Sequence, residues 1–209
     1  MTSNAKPVVF VVDDDVSVRE SLKLLITSAG WQPETFPSAQ EFLSRPRPTV
    51  PSCLVLDVTL PGLSGLELQA QLAERRDTPI IFLTGYGDVR TVVQAMKAGA
   101  LEFLTKPFAV EQLLDAIRHA IERSGVAARS IADIQILGER YELLTSRERD
   151  VMTQVVTGLL NKQVGWELGI SETTVKAHRG QVMRKMKADS LADLVRMAAR
   201  LGLSPATTQ

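Results

Sequence analysis

The stretch PVVFVVDDD at residues 7–15 decides how the first part of the chain folds, because a continuous β-branched and aromatic run ends abruptly in three aspartates. Such a run is typical of a strand that is buried on both faces of a parallel sheet. Val18, Leu22 and Ile26 then recur at helical spacing as far as Gly30, an ordinary place for a helix to end. The stretch therefore predicts the first strand and helix of an α/β domain.

The same alternation of strand and helix repeats along the next hundred or so residues. Further strands are predicted near 32–36, 53–56, 80–83 and 101–104, and helices near 38–44, 64–75, 88–98 and 110–123. The proline-rich stretch 45–51 is predicted to be a loop. Five strand–helix units predict a doubly wound α/β domain with a five-stranded parallel sheet.

Composition bounds the classes of protein that this chain can represent. At 209 residues it has room for two domains, and 44% hydrophobic and 23% charged residues are ordinary for a soluble protein. No apolar run approaches the roughly 20 residues of a membrane span, and the chain opens without a signal-peptide pattern. The lone Cys53 can form no internal disulfide, which suits a reducing compartment. We expect a cytoplasmic protein without a membrane partner.

The net charge of zero conceals a difference between the two halves. Residues 1–124 hold 12 Lys and Arg against 15 Asp and Glu, whereas residues 125–209 hold 12 against 9. This division fits an acidic site followed by a surface for nucleic acid.

Polar residues follow the apolar runs where the predicted strands end. They are Asp13, Asp14, Asp57, Thr84 and Lys106. Because ligands of such sheets bind outside the carboxyl ends of the strands, these side chains are expected to converge. Carboxylates without His or Cys suit Mg²⁺, and a carboxylate can also serve as the nucleophile that forms an aspartyl phosphate. A hydroxyl and an ammonium group can then neutralise the phosphoryl oxygens.

Three segments carry a specific resemblance: VVDDD at 11–15, LDVTLPGLSG at 56–65 and TKPF at 105–108. They resemble the signature segments of CheY-like receiver domains, and the likeness covers residues 7–123. The resemblance implies that Asp57 accepts a phosphoryl group from a sensor histidine kinase and that Mg²⁺ is required. By this resemblance Asp14 would bind the ion directly, Asp13 would bind it through water, and the backbone carbonyl of Thr59 would be a further ligand. Lys106 would pair with the phosphoryl group and precede Pro107 with a cis peptide bond. Thr84 and Phe103 would be the pair of residues that switches conformation on phosphorylation.

Residues 124–141 connect the two patterns. Ser124 and Gly125 could end the last receiver helix, but Ile131, Ile134 and Leu137 recur at helical spacing. We expect a helical linker rather than a flexible tether.

From residue 142 onward the pattern is entirely helical. Thr145 and Glu148 fit a capping box, Asn161 is predicted to cap the next helix, and Ser171 is predicted to cap the third. A helix that ends at Gly169 and is followed at once by another is a helix-turn-helix, whose second helix reads the major groove of DNA. Ser190 is predicted to open a fourth helix.

The third helix has two unlike faces. Val175, His178, Val182 and Met186 share one face, so His178 is interpreted as a packing residue. The opposite face presents Thr173, Lys176, Ala177, Gly180 and Arg184. Residues 171–187 hold five basic side chains and one acid, as contact with phosphates requires.

Residues 142–203, with LTSRE at 144–148, NK at 161–162 and TTVKAHR at 173–179, resemble the LuxR-type effector domain. With the receiver, the chain resembles the NarL/FixJ class of response regulators, and most of all its FixJ branch. This resemblance implies that phosphorylation produces a homodimer and that promoter DNA and RNA polymerase are its partners. The helix near 190–201 would form the contact between the two protomers when they are bound to DNA. The implied DNA surface consists of Thr173, Thr174, Lys176, Ala177, Arg179, Gly180 and Arg184. Gly165, Trp166 and Gly180 depart from the usual pattern of the class.

The expected function is that of a phosphorylated regulator that is not an enzyme, and two other functions are alternatives to it. An aspartate-based phosphatase is disfavoured because no general acid stands two positions after Asp57. A LuxR-type regulator gated by a small ligand is disfavoured by the acidic residues Asp13, Asp14 and Asp57.

Overall fold

A computed structural model describes residues 6–46, 48–72, 78–85 and 89–203. The chain divides into two compact units, Met1–Arg129 and Ser130–Gln209. Among the described residues, no helix combines the length and apolar character that crossing a membrane requires.

The first unit contains a five-stranded parallel sheet in the order β2-β1-β3-β4-β5. Its strands are β1 (Val8–Val12), β2 (Gln32–Phe36), β3 (Ser52–Asp57), β4 (Ile80–Thr84) and β5 (Glu102–Thr105). Its helices are α1 (Val16–Ser28), α2 (Ala39–Ser44), α3 (Gly65–Gln71), α4 (Val89–Lys97) and the first part of α5 (Val110–Glu142). The predicted doubly wound fold is confirmed. The predicted ends of two helices, at residues 75 and 88, lie outside the described residues.

Both faces of the sheet are covered, which explains why its strands are continuous apolar runs. Successive side chains of a strand point to opposite faces. Phe10, Leu54 and Phe82 accordingly pack in one core cluster, while Val9, Val55 and Ile81 pack in a second cluster with the buried side of α5.

The helix α5 continues beyond the predicted end at residue 123. Ser124 and Gly125, which could have ended it, lie within the helix, in keeping with the helical linker expected there. Ser124 is only 3% exposed, and its Oγ accepts a hydrogen bond of 3.0 Å from the amide of Ser52. Leu137, near the other end of α5, is buried in the core of the second unit. The stretch predicted as a linker is thus helical, and its two ends belong to different units.

The second unit is helical and contains the last part of α5, α6 (Ser146–Val156), α7 (Asn161–Leu168), α8 (Glu172–Met186) and α9 (Leu191–Arg200). The predicted capping box of Thr145 and Glu148 is confirmed, as are the caps at Ser171 and Ser190. Gly169 ends α7 with a φ of 65°, a left-handed conformation that favours glycine.

The predicted cap of α7 is wrong by one residue. Leu160 has the extended backbone of a cap, and the side chain of Gln163 accepts a hydrogen bond from its amide. Asn161 is the first helical residue, and its Oδ1 is turned to a different donor, Arg179. Within the described part of the chain, no side chain accepts from the first amides of α7, and Gln163 serves the amide before the helix instead.

Candidate functional site

The order of the strands brings the polar residues at their carboxyl ends together. Asp13 follows β1, Asp57 ends β3, Thr84 ends β4 and Lys106 follows β5. Because β1, β3, β4 and β5 are neighbours in that order, these residues lie along one edge of the sheet. The convergence predicted from the sequence is therefore present.

Lys106 links the two buried carboxylates of this edge. Its Nζ lies 2.7 Å from Oδ2 of Asp13 and 2.7 Å from Oδ2 of Asp57. The Lys106–Pro107 peptide bond is cis, as expected, and the Lys106 amide donates to the carbonyl of Thr84. The other oxygen of Asp57, Oδ1, accepts a hydrogen bond of 2.9 Å from the Thr59 amide. Both oxygens of Asp57 are thus oriented by donors.

The three acids of the site have unequal environments. One carboxylate oxygen from each of Asp13, Asp14 and Asp57 lies within 4.8 Å of the others. Asp13 is 1% and Asp57 8% exposed, whereas Asp14 is exposed. Burial raises the pKa of Asp13, and this outweighs its hydrogen bonds with Lys106 and the Asp15 amide, which lower it.

Lys106 remains charged in this setting. Burial by itself would lower the pKa of Lys106, but its hydrogen bonds to Asp13 and Asp57 prevail and raise it. The cluster holds three carboxyl groups, and the one ammonium group pairs with two of them, so a divalent cation would offset the remaining negative charge. An all-oxygen donor set of this kind fits Mg²⁺.

Asp15 supports the loop and lies outside the three-acid cluster. Its Oδ1 accepts from the Ser17 amide at 2.7 Å, which caps α1, and this hydrogen bond lowers the pKa of Asp15. Arg19, one turn into α1, donates to the backbone carbonyls of Asp13 and Asp14. These contacts fix the loop that carries the acids, and the contribution of Arg19 was missed because helical spacing does not show where a long side chain folds back.

Gly65 is a second contributor that residue chemistry did not indicate. A Cβ at this position would lie 2.3 Å from the backbone oxygen of Asp57 and 3.1 Å from Cε1 of Phe82. Only glycine allows α3 to begin so close to the end of β3. The signal was present in the sequence, since Gly65 belongs to the quoted segment 56–65.

The expected switch pair lies on neighbouring strands. Thr84 is fully buried, and Phe103 is half-buried against the core cluster that contains Phe82. The ring centroids of Phe82 and Phe103 are 6.0 Å apart. Phe103 is therefore a core aromatic in this conformation, with part of its surface open.

The DNA surface expected on α8 separates into two groups. Its exposed residues are Thr173, Lys176, Ala177, Gly180 and Arg184. Thr174 and Arg179 are half-buried, and each has a partner within the unit, Ser171 and Asn161 respectively. His178 is half-buried too, beside the fully buried Val175 and Val182.

The three departures from the usual pattern differ in their surroundings. A Cβ on Gly165 would lie 2.7 Å from the carbonyl oxygen of Ile170, so the turn after α7 passes too close for a larger residue without a shift. A Cβ on Gly180 would meet no atom within 4 Å. Trp166 is 82% exposed on α7.

An aspartate poised between a lysine and further acids at the edge of a CheY-like sheet, with a helix-turn-helix unit in the same chain, defines a class of protein: a phosphorylation-dependent regulator of DNA binding. Comparison with known families agrees with this class. The family model "Response regulator receiver domain" matches residues 9–118, and "Bacterial regulatory proteins, luxR family" matches residues 142–198. The chain belongs to the response regulator family and carries a LuxR-family DNA-binding domain.

Several relatives are similar over almost the whole chain. Nodulation protein W of Bradyrhizobium diazoefficiens is 51% identical over 99% of this chain and 92% of its own. The transcriptional regulatory protein FixJ of the same organism is 42% identical over 93% of this chain and 96% of its own. Among solved structures, the response regulator StyR has a TM-score of 0.82 at 48% identity and covers 94% of this chain and 100% of its own.

Proposed function

We propose that Asp57 accepts a phosphoryl group from a sensor histidine kinase and that the modified protein binds promoter DNA as a homodimer to control transcription. The observation that carries this proposal is the placement of Lys106 Nζ at 2.7 Å from both Asp13 and Asp57. A cation between the nucleophile and a second acid is positioned to neutralise the negative charge of an incoming phosphoryl group.

The two carboxylate oxygens of Asp57 have different partners, and this arrangement suits the transfer of a phosphoryl group. Its Oδ1 accepts a hydrogen bond from the Thr59 amide, which fixes the carboxylate plane. A carboxylate oxygen attacks phosphorus, a new O–P bond forms, and the bond to the leaving group of the donor breaks with its electron pair. Lys106 then pairs with a phosphoryl oxygen in place of the carboxylate oxygen that it holds here.

The acids of the site would hold the metal. Asp14 and Asp57 would bind Mg²⁺ directly, Asp13 through water, and the Thr59 carbonyl would complete the protein ligands, since their oxygens suit a hard cation. When bound, the ion supplies charge neutralisation for the phosphoryl oxygens. Burial raises the pKa of Asp13, and a bound cation would favour the charged form of this acid.

The signal would leave the site through Thr84 and Phe103. The hydroxyl of Thr84 would donate to a phosphoryl oxygen, and Phe103 would turn further inward as Thr84 moves. This is a shift between two packings of the face formed by α4, β5 and α5, which would also be the face for dimerisation.

The output would be contact between α8 and the major groove. The small exposed residues Ala177 and Gly180 would let the helix approach base edges closely, and Lys176 and Arg184 would reach base edges or phosphates. RNA polymerase would be engaged at the promoter, in the cytoplasm, and no substrate would be turned over.

An aspartate-based phosphatase would share the Lys106–Asp57 contact, but it would also need a general acid two positions after Asp57, where Thr59 stands. A ligand-gated regulator would not require the Lys106–Asp57 contact.

Acetyl phosphate with Mg²⁺ tests the proposal. The native chain should become labelled, Asp57→Asn should not, and a chelator should abolish labelling of the native chain. Asp15→Asn is the matched control, because it neutralises an adjacent acid but keeps an oxygen that can cap α1. Labelling that persists in Asp57→Asn, or that is lost equally in Asp15→Asn, would contradict the site assignment.

A further inference from the structure

The basic side chains of the α8 region fall into two groups by their contacts. The five are Lys176, Arg179, Arg184, Lys185 and Lys187. Lys176, Arg184 and Lys187 are exposed, and Lys176 pairs with the exposed Glu172, across one helical turn at 2.9 Å. Such surface pairs are worth little and exchange readily for other partners. Arg179 and Lys185 are half-buried and bind groups on other helices.

Arg179 ties the middle of α8 to the start of α7. Its Nη1 donates to Oδ1 of Asn161 at 3.1 Å, in a part-buried bond between residues 18 positions apart. Asn161 is the first residue of α7 and does not cap it. Its side-chain oxygen therefore serves α8 rather than its own helix.

Lys185 ties the far end of α8 to the start of α6. Its Nζ lies 2.6 Å from Oε2 of Glu148 and 3.1 Å from the carbonyl of Leu143. Glu148 is 5% exposed. If Lys185 left for a DNA phosphate, a buried carboxylate would lose its cation, which is strongly unfavourable.

We infer that Arg179 and Lys185 are positioning residues that set α8 against the other helices, and that the phosphate contacts of this helix come from Lys176, Arg184 and Lys187. The inference rests on the proposed function because it requires α8 to bind DNA. Each phosphate-binding cation steepens the dependence of log K on log salt by about 0.9, so α8 should contribute about 2.7 per protomer rather than about 4.5.

The salt dependence of DNA binding separates the two roles. The phosphorylated full-length chain is titrated onto a duplex that the unaltered protein selects from a random-sequence pool, and onto an unrelated duplex, at several salt concentrations. Arg179→Gln should weaken binding to the selected duplex about tenfold, because one hydrogen bond to a charged group is lost. It should leave the salt slope unchanged. The matched variant Lys176→Gln should reduce the slope by about 0.9 per protomer and weaken binding to both duplexes.

Asn161→Ala tests the contact without changing any charge. It should reproduce the effect of Arg179→Gln, and the double variant should be no weaker than either single variant, because both remove the same bond. Glu148→Gln combined with Lys185→Gln removes the second cation while sparing a buried unpaired acid, and it too should keep the native slope. Circular dichroism verifies that each variant is folded.

The outcomes are distinct. A slope that falls by about 0.9 per protomer in Arg179→Gln or in the Glu148/Lys185 double variant overturns the inference and leaves the proposed function intact. Native affinity in Asn161→Ala also overturns it. If the unaltered phosphorylated protein binds neither duplex, the proposed function fails and the inference fails with it.

Discussion

Replacing Lys185 with methionine should destabilise the second unit, because it leaves the Glu148 carboxylate buried. Breaking a buried ion pair by removing one partner costs roughly 3–5 kcal/mol. The Lys185 side chain is 28% exposed and Glu148 keeps its hydrogen bond of 2.8 Å from the Thr145 amide, so the full figure does not apply. We expect a loss of about 2 kcal/mol, which is about a 30-fold rise in the opening constant.

The loss should depend on pH in a defined direction. In the native chain, burial would raise the pKa of Glu148, but hydrogen bonds from Lys185 and Thr145 prevail and hold it below its ordinary value of 4.5. The native contribution is thus present above pH 4.5 and is lost as the pH falls through the folded pKa. Without Lys185, burial is opposed less and raises the pKa, so protonation relieves the variant at low pH. The difference between variant and native should shrink as the pH falls from 7 toward 4.5.

Hydrogen exchange of the full-length chain measures this effect locally, in peptides from α6 and α8. Glu148→Gln combined with Lys185→Met is the control and should recover much of the loss, since no buried charge remains. Equal protection of the native chain and Lys185→Met at neutral pH would show that Lys185 does not stabilise the buried Glu148. A loss of protection that is independent of pH would show that the charge of Glu148 is not its cause.

Three further substitutions test single contacts. Ser124→Ala removes the acceptor of a buried β3 amide and should lower the free energy of unfolding by about 1–2 kcal/mol, measured by urea denaturation; an unchanged midpoint would contradict this. Gly65→Ala places a Cβ 2.3 Å from the backbone oxygen of Asp57, so the rate of phosphorylation by acetyl phosphate should fall steeply even where the chain remains folded, and a native rate would contradict it. Gly180→Ala has open space and should stabilise the second unit by about 0.5–1 kcal/mol, whereas Gly165→Ala meets a backbone carbonyl at 2.7 Å and should not gain this; hydrogen exchange of α7 and α8 compares the two, and equal gains would contradict the reasoning.

The sheet and its acidic edge could be predicted because their causes are local. A buried parallel strand is a continuous apolar run, and the rule that ligands bind at strand ends converts each terminal polar residue into a candidate. Asp13, Asp57 and Lys106 meet as expected although they are far apart in sequence. The cis bond before Pro107 was also expected, from the resemblance of its segment to receivers.

The features that could not be predicted depend on distant partners. Ser124 lies inside a continuous helix, and the partner of its buried hydroxyl is the amide of Ser52, 72 positions earlier, which local spacing does not reveal. The bond between Arg179 and Asn161 depends on how α7 crosses α8, which helical spacing within either segment does not reveal. A wheel of α8 alone correctly separated the buried Val175 from the exposed Lys176, but it could not show which basic residues would be held by other helices.

The decisive measurement is the affinity of the full-length chain for a selected DNA duplex, with and without phosphorylation of Asp57. Phosphorylation of Asp57 should strengthen binding about tenfold or more, a common size for coupling between two sites. The affinity of Asp57→Asn should not respond to acetyl phosphate. Equal affinity of the phosphorylated and unphosphorylated native protein would contradict the claim that Asp57 controls DNA binding.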